Sequence, residues 1–214
     1  FSIDIGELDQ NTFGNNVVAQ MKFNHAGTLL ADALPNSAGF DLFEFDPALG
    51  GMSTFASIRQ NDLAGVYALE FSPNDRFLYV ATPTRLYQYD LQAGSAQAIA
   101  QSRVLLANSA TPRFGALQTG PNGKIYIATG AGAPADALDV VFQPDQAGSA
   151  CQYQANAQPL GSGRVRYGLP CIAPGLAVPR ERVEIQGPDS LCGLPAQSIY
   201  VLKNSALCIG ADSI

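Results

Sequence analysis

The sequence repeats itself at intervals of about 48 residues, and this repetition limits the folds open to the chain more than any other feature. Segment 71–82 (FSPNDRFLYVAT) matches segment 119–129 (TGPNGKIYIAT), and segment 23–31 (FNHAGTLLA) is a weaker copy of both. In each full copy a proline presets φ for a tight turn, and the Asn-Asp or Asn-Gly pair after it tolerates positive φ. Each copy therefore predicts a β-hairpin.

A second repeated element follows the first two hairpins. Segments 42–46 (LFEFD) and 86–90 (LYQYD) share one pattern, and each leads through a glycine-containing turn to another apolar stretch, at 52–58 and 98–106. Four strands in about 50 residues is the size of a β-propeller blade. The strand predicted at 77–81 is apolar on both faces, as expected of a blade packed between two neighbours. The predicted fold class is therefore all-β, with propeller-like blades.

We place three blades at residues 12–61, 62–111 and 112–173, which together make up a region from 1 to 173. Propellers close with about 4 to 8 blades, so we expect these three to belong to a larger propeller or to be completed by other polypeptide. Residues 174–182 are predicted to be a linker. Residues 183–214 are predicted to begin a further β module, since they are too few for a complete immunoglobulin-like sandwich.

The composition excludes several classes of partner. The net charge of −6 and the sequence pI of about 4.6 argue against nucleic acid and anionic membrane surfaces. No apolar run approaches the roughly 18 to 20 residues of a membrane span, so no direct membrane insertion is expected. Hydrophobic residues make up 47% of the chain and charged residues 14%, which favours a folded domain over disorder.

Residue types with catalytic potential are sparse. His25, the only histidine, occupies the turn position at which the other copies have proline, so we interpret it as an exposed turn residue. Asp46 and Asp90 recur at the ends of third strands, where a carboxylate caps the following turn. The sequence predicts no catalytic, cofactor-binding or metal-binding residues and therefore no enzyme.

Arginines form the one small basic cluster. Their side chains would suit an acidic glycan or protein partner, although a solvated edge is the simpler interpretation; they are Arg164, Arg166, Arg180 and Arg182. Aromatic residues recur at blade spacing, which favours a core over a sugar-stacking platform, and the chain contains no Trp.

All four cysteines lie in the last third of the chain: Cys151, Cys171, Cys192 and Cys208. None forms a C-x-x-C pair, and a single histidine leaves few ligands for zinc. The even number favours disulfides in an oxidising compartment, with free buried thiols as the alternative.

Five segments together resemble the propeller-like region of large Bacteroidota surface proteins exported by the type IX secretion system. They are 68–74 (ALEFSPN), 86–91 (LYQYDL), 114–128 (FGALQTGPNGKIYIA), 150–153 (ACQY) and 166–170 (RYGLP). Many such proteins carry immunoglobulin-like or PKD repeats and a gliding-motility-associated C-terminal domain. The resemblance implies that residues 183–214 begin an Ig-like or PKD-like module.

The resemblance also bears on the cysteines. The chain has Cys171 directly after Gly-Leu-Pro, where the family usually has a polar residue. This departure implies that Cys151 pairs with Cys171 and that Cys192 pairs with Cys208, while a bridge from Cys171 to Cys192 across the linker stays open.

These observations favour a non-catalytic extracellular structural or interaction module of a secreted or cell-surface bacterial protein, associated with the outer membrane and serving adhesion or gliding. Its expected partners are other parts of a larger surface protein, a secretion or motility complex, or a protein or glycan ligand. No cofactor is expected. The alternative is a propeller hydrolase or lyase whose catalytic residues lie in other blades.

Overall fold

A computed structural model describes residues 19–170 and the short segments 184–186 and 201–203. The chain divides into two compact units, Phe1–Ala177 and Val178–Ile214. In the second unit, two of the described segments pair as antiparallel strands. Most of residues 183–214 lie outside the described residues, so the Ig-like or PKD-like module stays a prediction.

The described part of the first unit contains twelve strands in three antiparallel sheets of four, and within each sheet neighbouring strands are consecutive in the chain. The first sheet contains β1 (Met21–Phe23), β2 (Leu29–Leu34), β3 (Gly39–Asp46) and β4 (Gly51–Arg59). The second contains β5 (Ala68–Phe71), β6 (Phe77–Ala81), β7 (Arg85–Asp90) and β8 (Val104–Asn108). The third contains β9 (Leu117–Thr119), β10 (Ile125–Ile127), β11 (Ala137–Val141) and β12 (Tyr153–Pro159). The strands of the second unit are β13 (Glu184–Gln186) and β14 (Val201–Lys203). The prediction of an all-β fold made of propeller-like blades is confirmed.

The turn between the first two strands of each sheet has the same backbone conformation. One residue in each turn has positive φ: Gly27 at 69°, Asp75 at 59° and Gly123 at 72°. These positions recur with the sequence repeat, and glycine and aspartate are among the residues that adopt this conformation at least cost. The turn chemistry predicted from the sequence thus fixes the three hairpins.

Packing between sheets explains why the central strands are apolar on both faces. On β6, Leu78 and Val80 belong to the cluster shared with the first sheet. Phe77, Tyr79 and Ala81 belong to the cluster shared with the third sheet. All five side chains are buried, so this strand has no solvated face.

Polar groups also join the second sheet to the third. The Tyr79 hydroxyl donates to the Pro144 carbonyl oxygen at 2.8 Å. The Gln88 amide donates to the Gln146 carbonyl oxygen at 2.8 Å and accepts from the Gly148 N–H at 2.7 Å. The loop before β12 therefore satisfies the buried side chains of the second sheet.

The pairing of third and fourth strands contains an irregularity in every sheet, between Leu42 and Phe43, between Leu86 and Tyr87, and between Leu138 and Val140. Such bulges increase local twist.

The apolar stretch 98–106 was expected to be a strand throughout, and this is wrong in its first half. Residues Ala96–Gln101 form helix α1, and strand β8 starts only at Val104. The Ser95 hydroxyl caps the helix by accepting the Ala98 N–H at 3.2 Å. The segment AQAIAQ is rich in strong helix formers, and with this cap local propensity favours one helical turn over an extended strand.

The first strands of the three sheets lie side by side, with β1 in contact with β5 and β5 in contact with β9. This is the arrangement of inner strands around a propeller axis. We call β1, β5 and β9 the inner strands. No helix within the described residues is both long and apolar enough to span a membrane.

Candidate functional site

Each inner strand contributes one polar side chain at the same position of the repeat. Glu70 follows Lys22 by 48 residues, and Gln118 follows Lys22 by 96. The apolar neighbours of Glu70 and Gln118 are buried, whereas Met21 and Phe23 beside Lys22 are 58% and 37% exposed. The three polar side chains meet one another. We call Lys22, Glu70 and Gln118 the axial cluster.

The Lys22 ammonium group bonds across all three sheets. Its Nζ lies 2.7 Å from Glu70 Oε2, 2.9 Å from Gln118 Oε1 and 3.1 Å from the Leu117 carbonyl oxygen. Three acceptors match the three donors of an ammonium group, and the Lys22 side chain is only 9% exposed. The charge is thus buried but fully paired.

The Glu70 carboxylate is buried more deeply, with 3% of its side chain exposed. Its Oε2 accepts from Lys22 and from the Thr119 N–H at 3.2 Å. Burial raises the pKa of Glu70 above its ordinary value, and the hydrogen bonds and charge of Lys22 only partly oppose this rise. Among the described residues, no hydrogen bond reaches Oε1.

This arrangement is suited to proton transfer. A carboxylate with a raised pKa is a stronger base than an ordinary one, and an adjacent ammonium group stabilises developing negative charge. The same contacts also hold the three inner strands together. A single carboxylate does not suit a metal ion, and the described residues contain no group of three or more His, Cys, Asp or Glu side chains arranged for one.

The prediction for His25 is confirmed: it is exposed, in the turn after β1. Its backbone N–H donates to Asp75 Oδ1 at 2.8 Å, and its ring Nδ1 lies 3.2 Å from the same oxygen. Turn capping by aspartate is confirmed as well. Asp46 accepts the Ala48 N–H at 2.8 Å, and Asp90 accepts the Gln92 N–H at 3.0 Å.

The arginines predicted to bind a partner are not brought to the axial cluster. Arg164 is 64% exposed, and its Nη1 lies 3.6 Å from Asp136 Oδ2. Arg166 is exposed, whereas Arg180 and Arg182 lie outside the described residues. Partner binding by these four residues stays a prediction.

Cys151 is a buried free thiol. It packs in the cluster between the second and third sheets, and burial raises its pKa. Cys151 is thus the free buried thiol of the alternative prediction, and the predicted bridge from Cys151 to Cys171 is not supported. Cys171, Cys192 and Cys208 lie outside the described residues, and their pairing stays a prediction.

Sequence reasoning missed the axial cluster. The repeat search aligned apolar and turn residues, whereas Lys22, Glu70 and Gln118 are three different residue types. Aligning the three repeats shows that these positions are equivalent, but it does not show that their side chains meet.

Comparisons with known proteins bear mainly on the fold. No protein-family model matches the sequence, and no curated protein matches it. Among solved structures, the periplasmic gluconolactonase of Pseudomonas aeruginosa is 14% identical with a TM-score of 0.44, covering 70% of this chain and 45% of that one. A Lactobacillus plantarum protein is 14% identical with a TM-score of 0.47, covering 70% and 42%. A Bacteroides uniformis protein assigned as a 6-phosphogluconolactonase is 15% identical with a TM-score of 0.41, covering 56% and 34%.

This chain thus spans less than half the length of each of these structures. Two of the three bear the names of enzymes. The prediction that the chain does not belong to an enzyme is corrected by this finding. At 14–15% identity, the similarity to these structures shows the fold alone.

Proposed function

We propose that this chain is part of a β-propeller hydrolase and that the axial cluster supplies its acid–base groups. The observation that carries the proposal is the buried Glu70 carboxylate beside the Lys22 ammonium group, 2.7 Å apart where three sheets meet. Paired charges with a perturbed carboxyl pKa are characteristic of active sites. The names of two similar structures supply the substrate class, which is sugar lactones.

The proposed reaction is hydrolysis of the lactone ester. Glu70 Oε1, the oxygen outside the bonds to Lys22 and Thr119, accepts a proton from water as the water oxygen attacks the carbonyl carbon. The positive charge of Lys22, whose three donors stay on their protein acceptors, stabilises electrostatically the negative charge that develops on the carbonyl oxygen. The bond from that carbon to the ring oxygen then breaks, and the ring oxygen takes up the proton held by Glu70. The product is the open hydroxy acid.

The test uses the full chain and glucono-δ-lactone, with acid release followed in a pH-stat. We expect Glu70→Gln to lower kcat by about 100-fold or more, as loss of a general base does. Glu44→Gln is the matched control, because Glu44 is an exposed glutamate on β3 and should keep wild-type activity. Circular dichroism verifies that both variants fold.

Two results would refute the proposal. One is the absence of lactone hydrolysis by the wild-type protein above the spontaneous rate. The other is a folded Glu70→Gln variant with wild-type kcat. The family resemblance, the extracellular location and the surface-protein partners stay predictions that this assay does not address.

A further inference from the structure

A second polar site lies between the second and third sheets, away from the axial cluster. A cavity of about 400 Å³ opens between the loop before β9 and the loop before β11. Its lining is mainly polar and carries one charged group, Arg113; the lining residues are Ser109, Thr111, Pro112, Arg113, Thr129, Gly132 and Ala133. No carboxylate is among them.

The Arg113 guanidinium is held in place by Asp139 and Asn156, which do not line the cavity. Its Nε lies 3.2 Å from Asp139 Oδ2, and its Nη2 lies 2.5 Å from Asp139 Oδ1 and 2.9 Å from Asn156 Oδ1. Asp139 is completely buried and is itself fixed by the Tyr153 hydroxyl at 2.6 Å and the Asn156 N–H at 2.7 Å. Two nitrogens of the guanidinium are therefore occupied, and Nη1 is the one left for a ligand.

Hydroxyl groups complete a set of donors. Ser109 Oγ accepts the Thr111 N–H at 3.4 Å, which leaves its own proton for a ligand. Thr111 is exposed and lines the same cavity. Thr129 donates its proton to the Ala137 carbonyl oxygen at 2.6 Å and so contributes an acceptor. Hydrogen-bond donors therefore outnumber acceptors around one guanidinium group. This composition suits a small oxyanion, because an oxyanion offers only acceptors.

The walls of the cavity are fixed by backbone contacts. The Arg113 N–H donates to the Pro83 carbonyl oxygen at 2.6 Å, and the Ala131 N–H donates to the Arg113 carbonyl oxygen at 3.3 Å. A Cβ atom added to Gly132 would lie 2.6 Å from the Pro112 carbonyl oxygen, so the two loops meet backbone to backbone. A site held in this way needs little ordering when a ligand binds.

We propose that this cavity binds a small oxyanion, a carboxylate or a phosphate group, through Arg113 Nη1 and the hydroxyls of Ser109 and Thr111. Asp139 is a positioning residue, because it fixes the guanidinium without facing the cavity. The inference does not rest on the hydrolase proposal, since its ligand-binding groups lie on the loop between β8 and β9 and none belongs to the axial cluster.

The experiment titrates the full chain separately with inorganic phosphate and with acetate and follows the arginine side-chain N–H signals by NMR. We expect saturable binding of at least one anion, and the tighter of the two identifies the oxyanion class. Arg113→Lys keeps the charge but loses the planar fork and should weaken binding about tenfold or more. Arg76→Lys is the matched control, because Arg76 also donates to an aspartate, Asp90, from Nε at 3.2 Å and from Nη2 at 2.8 Å but does not line the cavity, and it should bind as wild type does.

Thr111→Val, on an exposed position, tests the site independently of the Arg113–Asp139 pair and should weaken binding a few-fold. The double variant Arg113→Met/Asp139→Asn removes both charges together and should abolish saturable binding while it folds. The proposal is overturned if neither anion saturates, if Arg113→Lys or Thr111→Val binds as wild type does, or if Arg76→Lys loses as much affinity as Arg113→Lys. Because the readout is binding alone, its failure is distinct from a lack of lactone hydrolysis.

Discussion

Replacing Lys22 with methionine should destabilise the protein more than any other change to a charged side chain in the axial cluster. Methionine keeps most of the aliphatic stem and removes the ammonium group, which has acceptors at 2.7, 2.9 and 3.1 Å. Glu70, with 3% of its side chain exposed, would then be a buried charge without its counterion. Removing one partner of such a pair costs about 3–5 kcal/mol.

The reciprocal change should cost less. In Glu70→Gln the Lys22 ammonium keeps the Gln118 and Leu117 oxygens, and the new amide oxygen replaces one carboxylate oxygen, so we expect a loss of about 1–3 kcal/mol. In the double variant Lys22→Met/Glu70→Gln no charge remains buried. Its loss should fall short of the sum of the single losses by about 2 kcal/mol or more.

Urea denaturation followed by far-UV circular dichroism gives the free energies of unfolding, since the chain has no Trp to serve as a fluorescent probe. Lys124→Met is the control: its Nζ lies 4.5 Å from the centre of the Phe142 ring, a contact whose loss costs about 0.5–1 kcal/mol. A loss below about 1 kcal/mol in Lys22→Met, or single losses that simply add, would show that the three inner strands do not depend on this ion pair.

Three further predictions follow from burial. Because burial raises the pKa of Glu70, the folded state binds the carboxyl proton more tightly than the unfolded state does. The free energy of unfolding of the wild type should therefore fall as the pH rises from the ordinary glutamate pKa through the raised one, and Glu70→Gln should lack this contribution. Urea titrations at several pH values measure it, and an equal dependence on pH in the two proteins would contradict the prediction. Phe71→Ala should lower the free energy of unfolding by about 3–5 kcal/mol and Phe23→Ala by less than about 1 kcal/mol, because Phe71 is 0% exposed and Phe23, at the equivalent position, is 37% exposed. Equal losses in urea denaturation would be inconsistent with packing between sheets. Cys151 should react slowly with iodoacetamide in the native protein and quickly in urea, as measured by intact mass, whereas fast native labelling would mean an accessible thiol.

The sequence predicts the hairpins well because their determinants are local. Positive φ at Gly27, Asp75 and Gly123 follows from residue type, and the interleaved apolar pattern of 77–81 follows from burial on both faces. These signals depend on near neighbours in the chain. They therefore predict the three hairpins and the fold class without any knowledge of tertiary structure.

The predicted correspondence between third strands is displaced by two residues. Strand pairing shows which residues are equivalent. In the first sheet Leu42 pairs with Ala31, which pairs with Lys22. In the second sheet Glu70 pairs with Tyr79, which pairs with Gln88, so Leu42 corresponds to Gln88 and not to Leu86. A shift of two keeps every side chain on its face, so the hydrophobic pattern cannot detect it.

The axial cluster lay beyond prediction for a different reason. The repeat shows that Lys22, Glu70 and Gln118 are equivalent, but only the tertiary structure shows that the first strand of each sheet is the inner one. Side chains 96 residues apart, such as Lys22 and Gln118, then come within 2.9 Å. The helix at Ala96–Gln101 was missed because the interpretation used hydrophobicity alone, which does not separate a short strand from a helical turn, whereas the helix formers and the Ser95 cap do.

The bonds between the second and third sheets restrict how a protein of this kind can grow by duplication. The Tyr79 hydroxyl and the Gln88 amide have acceptors on the loop that carries Pro144 and Gln146. A copied unit inserted at this junction would separate both groups from their acceptors and bury them unsatisfied, at about 1–3 kcal/mol each. The order of the second and third sheets is therefore costly to change. The same holds between the first and second sheets, where the Tyr87 and Tyr89 hydroxyls donate to Asp62 and Gln60 on the loop between β4 and β5, at 2.8 and 2.7 Å.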